Sequence, residues 1–198
     1  RGLHSFSIVG LPGKAIEEAK DRVSSAIKNS GFPSPKSKNH KITISLAPAD
    51  LKKEGPLFDL PIAIAYLIAA EEVVVDTTRR MYVGELSLTG SLRGVRGVLP
   101  IIQAAKAHGY TEVIVPKENA QEAALVDGVT IYAAQTLSEV VAHITATEEK
   151  KQSLTAQPVT QIAPTWTDGL TRLEDIKGQE RAKRGLLIAA AGRHNVIM

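Results

Sequence analysis

The chain has 198 residues, 43% of them apolar and 23% charged, with a formal net charge of +3 and no cysteine. That length suits one ordinary domain plus a smaller piece, and the composition excludes wholesale disorder. The missing cysteine excludes disulfides, thiolate nucleophiles and cysteine-ligated zinc, which fits a reducing, cytoplasmic setting. Mild basicity permits nucleic-acid contact without arguing for it. The longest apolar run, Leu60 to Ala70, is interrupted by Pro61 and falls short of the roughly 20 residues of a membrane span. The first residue, Arg1, stands in a stretch that already reads as strand, so we expect a trimmed piece of a longer protein.

Residues 5–9 (SFSIV) are β-prone and end at the turn-rich Gly10-Leu11-Pro12-Gly13. From Lys14 to Asn29, Ile16, Ala19, Val23, Ala26 and Ile27 recur at helical spacing, and Gly31 is a natural stop. A polar loop with Pro33 and Pro35 follows. Lys41 to Leu46 then alternates like a half-buried strand, with Ile42, Ile44 and Leu46 on one face. After the turn formers of Pro48 to Pro56 comes LFDLPIAIAYLIAA, apolar almost all round, which predicts a central helix covered on most sides.

Tyr82 to Leu86 predicts a strand, and Thr89-Gly90 a hairpin turn. A helix over Leu99 to His108, a strand over Glu112 to Val115, a short helix over Glu118 to Leu125, a strand over Val129 to Ala133 and a helix over Leu137 to Ile144 follow. Strands and helices alternate to about residue 144, which makes residues 1–144 an α/β or α+β domain. Residues 145–171 are polar, carry two prolines and hold no sustained period, so they read as a linker. Gln179 to Ala191 predicts a new helix, and the terminal VIM the start of a buried strand.

Candidate chemistry is sparse. Gly10-Leu11-Pro12-Gly13-Lys14 is not a phosphate-binding loop: Ile8 stands where its first glycine belongs, and Ala15 where a Ser or Thr would hold Mg²⁺. The five histidines show no paired metal-ligand spacing. Asp59 and Glu85 suit capping or turn roles better than acid–base work. Lys28, Lys36, Lys38, His40 and Lys41, with Lys52 and Lys53 in a second loop, would contact phosphates if both loops shared a face; a solvated rim is the blander and favoured reading. Arg181 and Arg184 share a helix face, for nucleotide, a neighbouring subunit or solvent.

The last segment, LEDIKGQERAKRGLLIAAAGRHNVIM, resembles the opening of an AAA+ ATPase domain, where an Asp-hydrophobic-x-Gly-Gln segment precedes a helix and an apolar strand leading into the Walker A loop. Asp175, Ile176, Lys177, Gly178 and Gln179 match it. The resemblance implies that Ile176, Gly178 and Gln179 form part of an adenine pocket. The chain stops before the loop that would bind ATP and Mg²⁺, so neither is expected in residues 1–198 themselves.

Four further segments, IVGLPGKAIEEAKDRVSSAIKNSGF, KITISLAPADLKKEGPLFDLPIAIA, VGELSLTGSLRGVRGVLPIIQAAKAHG and VIVPKENAQEAALVDGVTIY, resemble the N-terminal region of magnesium-chelatase-like AAA+ ATPases of the ComM/YifB family. That family implies a Lon-protease-like domain, with the fold of the second domain of a small-subunit ribosomal protein, ahead of an ATPase. It also implies a parent that hydrolyses ATP with Mg²⁺, forms a ring, and acts on DNA in the manner of a branch-migration helicase in natural transformation. A chelatase-type motor and a purely structural docking or oligomerisation module are the rivals.

Gly13 stands where relatives usually carry an acidic residue. Lon uses a Lys-Asp-Gly-Pro-Ser loop and a lysine after a hairpin as its Ser–Lys dyad. Here Lys53, Glu54, Gly55 and Pro56 are followed by Leu57, and alignment puts roughly Leu99 at the lysine position. The expectation is a domain without catalytic residues.

Overall fold

The structure, a computed structural model, describes residues 5–37, 40–147, 151–161 and 172–197. It divides into two compact units, residues 1–160 and 161–198.

In the first unit, β1 (Ser5–Val9) and β2 (Lys41–Ser45) pair in parallel, Ser5 opposite Lys41 through Val9 opposite Ser45. Helix α1 (Lys14–Asn29) connects them and buries Ile16, Ala19, Val23, Ala26 and Ile27, the predicted stripe. Gly10 permits the exit from β1. Its φ is +103°, and a Cβ there would stand 2.1 Å from the Leu46 carbonyl oxygen. Helix α2 (Asp59–Ala69) follows a 3-10 turn at Pro56–Phe58 and buries Leu60, Ile62, Ala63, Ile64, Tyr66 and Leu67, so it is the central helix its composition predicts.

A second sheet has the order β3-β6-β7, all parallel, from β3 (Arg80–Tyr82), β6 (Glu112–Pro116) and β7 (Thr130–Ala134). Between β3 and β6 lie the hairpin β4 (Glu85–Leu86) and β5 (Leu92–Arg93), then α3 (Val98–Ala107). A 3-10 turn (Lys117–Asn119) and α4 (Ala120–Ala123) bridge β6 and β7, and α5 (Leu137–Ile144) follows. The result is a mixed α/β unit with parallel sheets, as the alternation of elements implies. Its apolar side chains form two clusters, one around α1 and α2 and one around α3, α4 and β6.

Three expectations change. The single strand predicted over Tyr82 to Leu86 is broken, because the Gly84 N–H donates to Leu57 O (3.1 Å) and Gly84 O accepts from Leu60 N–H (3.1 Å). Gly84 therefore serves the start of α2 instead of a strand neighbour. In the stretch read as linker, residues 151–160 hydrogen-bond along the first unit.

The second unit holds a 3-10 turn (Leu173–Asp175) and α6 (Glu180–Gly192). Residues 195–197 form no strand, and Ile197 is fully exposed, because a strand needs a paired neighbour and none of the described residues supplies one.

Candidate functional site

The place where a Lon-like dyad would stand is the loop 48–58, the start of α2 and the approach to α3. The turn at residues 10–13 meets that loop. The Gly13 N–H donates to Lys53 O (2.8 Å) and the Lys53 N–H to Leu11 O (3.2 Å). A Cβ on Gly13 would lie 2.8 Å from Lys53 O, so this contact leaves no room for a larger residue. Lys53 itself turns inward. Its ammonium donates to the carbonyls of Gly10 (3.1 Å) and Pro48, and the residue is buried. Lys53 is thus unavailable to phosphates, which corrects its place in the basic cluster. A cation buried beside apolar atoms is tolerated only when such acceptors replace its water.

At the other end of the loop, Asp59 is fully buried and takes two hydrogen bonds from Arg22, at 2.9 and 3.1 Å, and a third from the Leu86 N–H at 3.2 Å. Arg22 also donates to Ala15 O (2.9 Å). Burial, the larger influence, pushes the Asp59 carboxyl above its ordinary value, while Arg22 and the Leu86 amide pull it down. The Arg22 guanidinium, partly solvated, is pushed upward by its bond to Asp59 and held charged. The forked two-bond geometry is that of an ionised pair. It clamps α1, α2 and β4 together. Sequence reasoning placed Asp59 in a capping or turn role; its partner Arg22, 37 residues away, carried no signal at all.

The Lon resemblance points to two further positions, Leu57 and Leu99. Leu57 and Leu99 are both half-buried and both pack against the apolar cluster that contains Val83, Val95, Val98 and Ile102. The turn into α3 is pinned from the far side: Glu118 accepts from Gly94 N–H (3.0 Å), Asn119 exchanges two bonds with Val95 (2.9 Å each) and Glu122 accepts from Leu99 N–H (3.2 Å). Both positions that the Lon resemblance would assign to nucleophile and base hold leucine. A Ser–Lys mechanism needs a hydroxyl and an amine within hydrogen-bond reach, and neither leucine offers one. Glu85, near the same edge, pairs with Arg93 at 3.7 Å.

The remaining candidates are dispersed. Lys28 and Lys36 line a cavity of about 360 Å³ with Ser24, Ser25, Ser34 and Ser37, and Lys36 is paired with Asp21 at 2.6 Å. His40 and Lys41 line a different cavity, of about 520 Å³, along β2. Lys52 pairs with Glu54 at 2.7 Å. Lys38 lies outside the described residues. Among the described residues no group of His, Cys, Asp or Glu can hold a metal ion, and no helix is long and apolar enough to cross a membrane.

In the second unit, Ile176, Gly178 and Gln179 make the bend before α6. Gly178 (φ +73°) and Gln179 (φ +55°) are both left-handed, and Ile176 is exposed. The Asp175 carboxylate accepts from the Arg172 N–H (2.8 Å), and Lys183 donates to Ile176 O (3.0 Å). Arg181 and Arg184 lie on α6, and both are exposed.

Comparison with known proteins gives two family matches. The family described as "Subunit ChlI of Mg-chelatase" matches residues 1–119, and "Magnesium chelatase, subunit ChlI" matches residues 172–198. The chain is 46% identical over 198 residues to "Competence protein ComM" of Haemophilus influenzae, a match covering 99% of this chain and 38% of that protein. It is 43% identical over 204 residues to YifB of Escherichia coli, covering 100% of this chain and 37% of YifB. It is 32% identical over 148 residues to "Lon protease 2" of Bacillus subtilis, covering 72% of this chain and 26% of the protease. The chain thus spans under two-fifths of the length of the ComM and YifB relatives.

Proposed function

The chain belongs to the magnesium-chelatase ChlI-like family, in its ComM/YifB group with a Lon-protease-like portion, and on that premise we propose that it is the front of an AAA+ ATPase in which residues 1–144 are a non-catalytic accessory domain. In this reading that domain has the Lon-like, ribosomal-protein-like fold, residues 145–171 lead onward, and residues 172–198 open the ATPase domain. Ile176, Gly178 and Gln179 then form one wall of an adenine pocket, with the left-handed backbone at Gly178 and Gln179 bringing main-chain groups toward the base. The parent binds and hydrolyses ATP with Mg²⁺ in the cytoplasm, assembles as a hexameric ring, and remodels branched DNA.

One observation carries the accessory role. Leu57 and Leu99, which in this reading take the places of nucleophile and base, pack on one apolar cluster, while Lys53 and Asp59 are spent on internal contacts. The DNA role rests on similarity to a competence protein over 99% of this chain. A second reading, a motor subunit that drives metal insertion into a porphyrin, is favoured by the description of the matched family.

The test is an ATPase and branched-DNA unwinding assay on the full-length parent. DNA-stimulated ATP hydrolysis with strand exchange supports the reading. ATP hydrolysis stimulated by a chelatase partner subunit and porphyrin, with no response to DNA, overturns it in favour of the second. Hydrolysis of a peptide substrate by the purified 198-residue chain would overturn the non-catalytic assignment.

A further inference from the structure

After α5 the chain stays on the first unit. Thr145 bridges Val75, and the Ala146 N–H donates to Val74 O (2.8 Å). Residues 151–160 then run along α5, the free edge of β7 and α4. The Gln152 N–H donates to Ala142 O (2.9 Å), the Leu154 N–H to His143 Nδ1 (3.1 Å), and the Gln157 N–H to Ile131 O (2.8 Å). Ala156 forms an antiparallel bridge with Tyr132. Thr160 closes the run with its N–H on Ala124 O (2.9 Å) and its hydroxyl on Gln121 O (2.8 Å). Leu154 packs on the first apolar cluster. Among these acceptors only the imidazole of His143 can take up a proton near neutral pH.

His143 is buried, with its ring 4.3 Å from that of Tyr132. Because Nδ1 accepts a hydrogen bond, the ring proton of the neutral form sits on Nε2, which is buried and has no partner among the described residues. A second proton can enter only at Nδ1, where it would face the Leu154 N–H. Two donors would then confront each other, the strap would lose that bond, and a charge would be buried.

The surroundings resist this charge. Burial is the largest influence holding His143 below its ordinary value. Arg80 of β3 comes next in the same sense and Lys151 of the strap adds to it, while Glu112 of β6 opposes them. Arg80 is itself bound to Glu112 at 2.7 Å, and burial pushes the Tyr82 phenol up from its ordinary value.

We propose that residues 151–160 are a releasable strap whose docking on the first unit is gated by the protonation of His143. Docked, the strap ends the first unit at Thr160, directly before Gln161, the first residue of the second unit. Released, it becomes a connecting chain that reaches up to about 35 Å when extended. The strap thus controls the length of the tether between the accessory unit and the second unit. The sign comes from linkage. His143 is held neutral when docked, so docking is fully favoured above the ordinary histidine pKa and weakens as pH falls below it.

The experiment is residue-resolved hydrogen exchange on the 198-residue chain from about pH 7.5 down to about pH 5, corrected for intrinsic exchange. Protection of the Leu154 and Gln157 amides is expected to fall by up to about tenfold per pH unit below the ordinary histidine value, while the β6 amides stay protected. His143→Gln keeps an acceptor but cannot titrate, so it should give a flat profile. Gln157→Pro removes the bond to Ile131 without touching the ring, and should move the His143 titration, read by NMR, toward its ordinary value. Strap protection that does not change with pH in the native chain, a pH dependence that survives His143→Gln, or an unmoved His143 titration in Gln157→Pro would each overturn the proposal.

Discussion

The loop that closes on α2 and the bend that opens α6 both carry residues matched to nucleotide-motor or protease motifs, yet they treat those residues oppositely. Asp59 and Lys53 are answered from within: a forked guanidinium, a backbone amide, two carbonyls. Around Ile176 to Gln179 the side chains face outward, a Cβ added at Gly178 would meet nothing within 4 Å, and on α6 only Ala189 is buried while Leu187 and Ile188 stand exposed. The first region has become scaffold. The second stands open. A matched motif therefore says little until its polar groups have been followed to their partners.

Four outcomes break or sharpen that contrast. The largest effect is expected from Asp59→Ala, which strands the Arg22 guanidinium and the Leu86 N–H. The loss should be about 3 kcal/mol in urea denaturation, and a change near zero would mean that the clamp is not structural. Leu57→Ser follows. It removes a half-buried apolar side chain from the second cluster and should cost about 1–2 kcal/mol without conferring labelling by a serine-directed phosphonate; labelling would show a working base nearby.

Gly10→Ala should cost more than about 1 kcal/mol, because its Cβ would collide with Leu46 O at a positive φ. Thermal melting reads that change, and an unchanged midpoint would mean that β1 can shift away from Leu46. The smallest effect is expected from Ile188→Asp on α6, within about 0.5 kcal/mol in the same chain. A large loss there would show that the second unit is as closed as the first.

The apolar spacing of α1 and the all-round apolar sequence of α2 made both helices legible from residue order alone, since a helix that buries Ile16, Ala19, Val23, Ala26 and Ile27 must repeat them at 3.6 residues. The break at Gly84 was not legible. It depends on hydrogen bonds to Leu57 and Leu60, and strand periodicity carries no information about a competing partner. The inward turn of Lys53 was hidden for the same reason, because a lysine in a polar loop reads as solvated until the carbonyls that receive it are placed.

His143 shows the same limit. Its position on α5 was clear, but its partner Leu154 lies in a polar stretch without periodicity. Strap residues 151–160 hold on mainly through backbone groups, which every residue type supplies alike.

The amino-acid sequence by itself thus determined the alternation of elements, the main helices and the family, because each is written in residue type and spacing. Only the tertiary structure decided where the charges go: Arg22 to Asp59, Lys53 into the loop, and the strap onto His143. Those pairings join residues far apart in the chain or rest on backbone atoms, and the physical reason they form, the cost of leaving a buried polar group unanswered, acts only once the chain is folded.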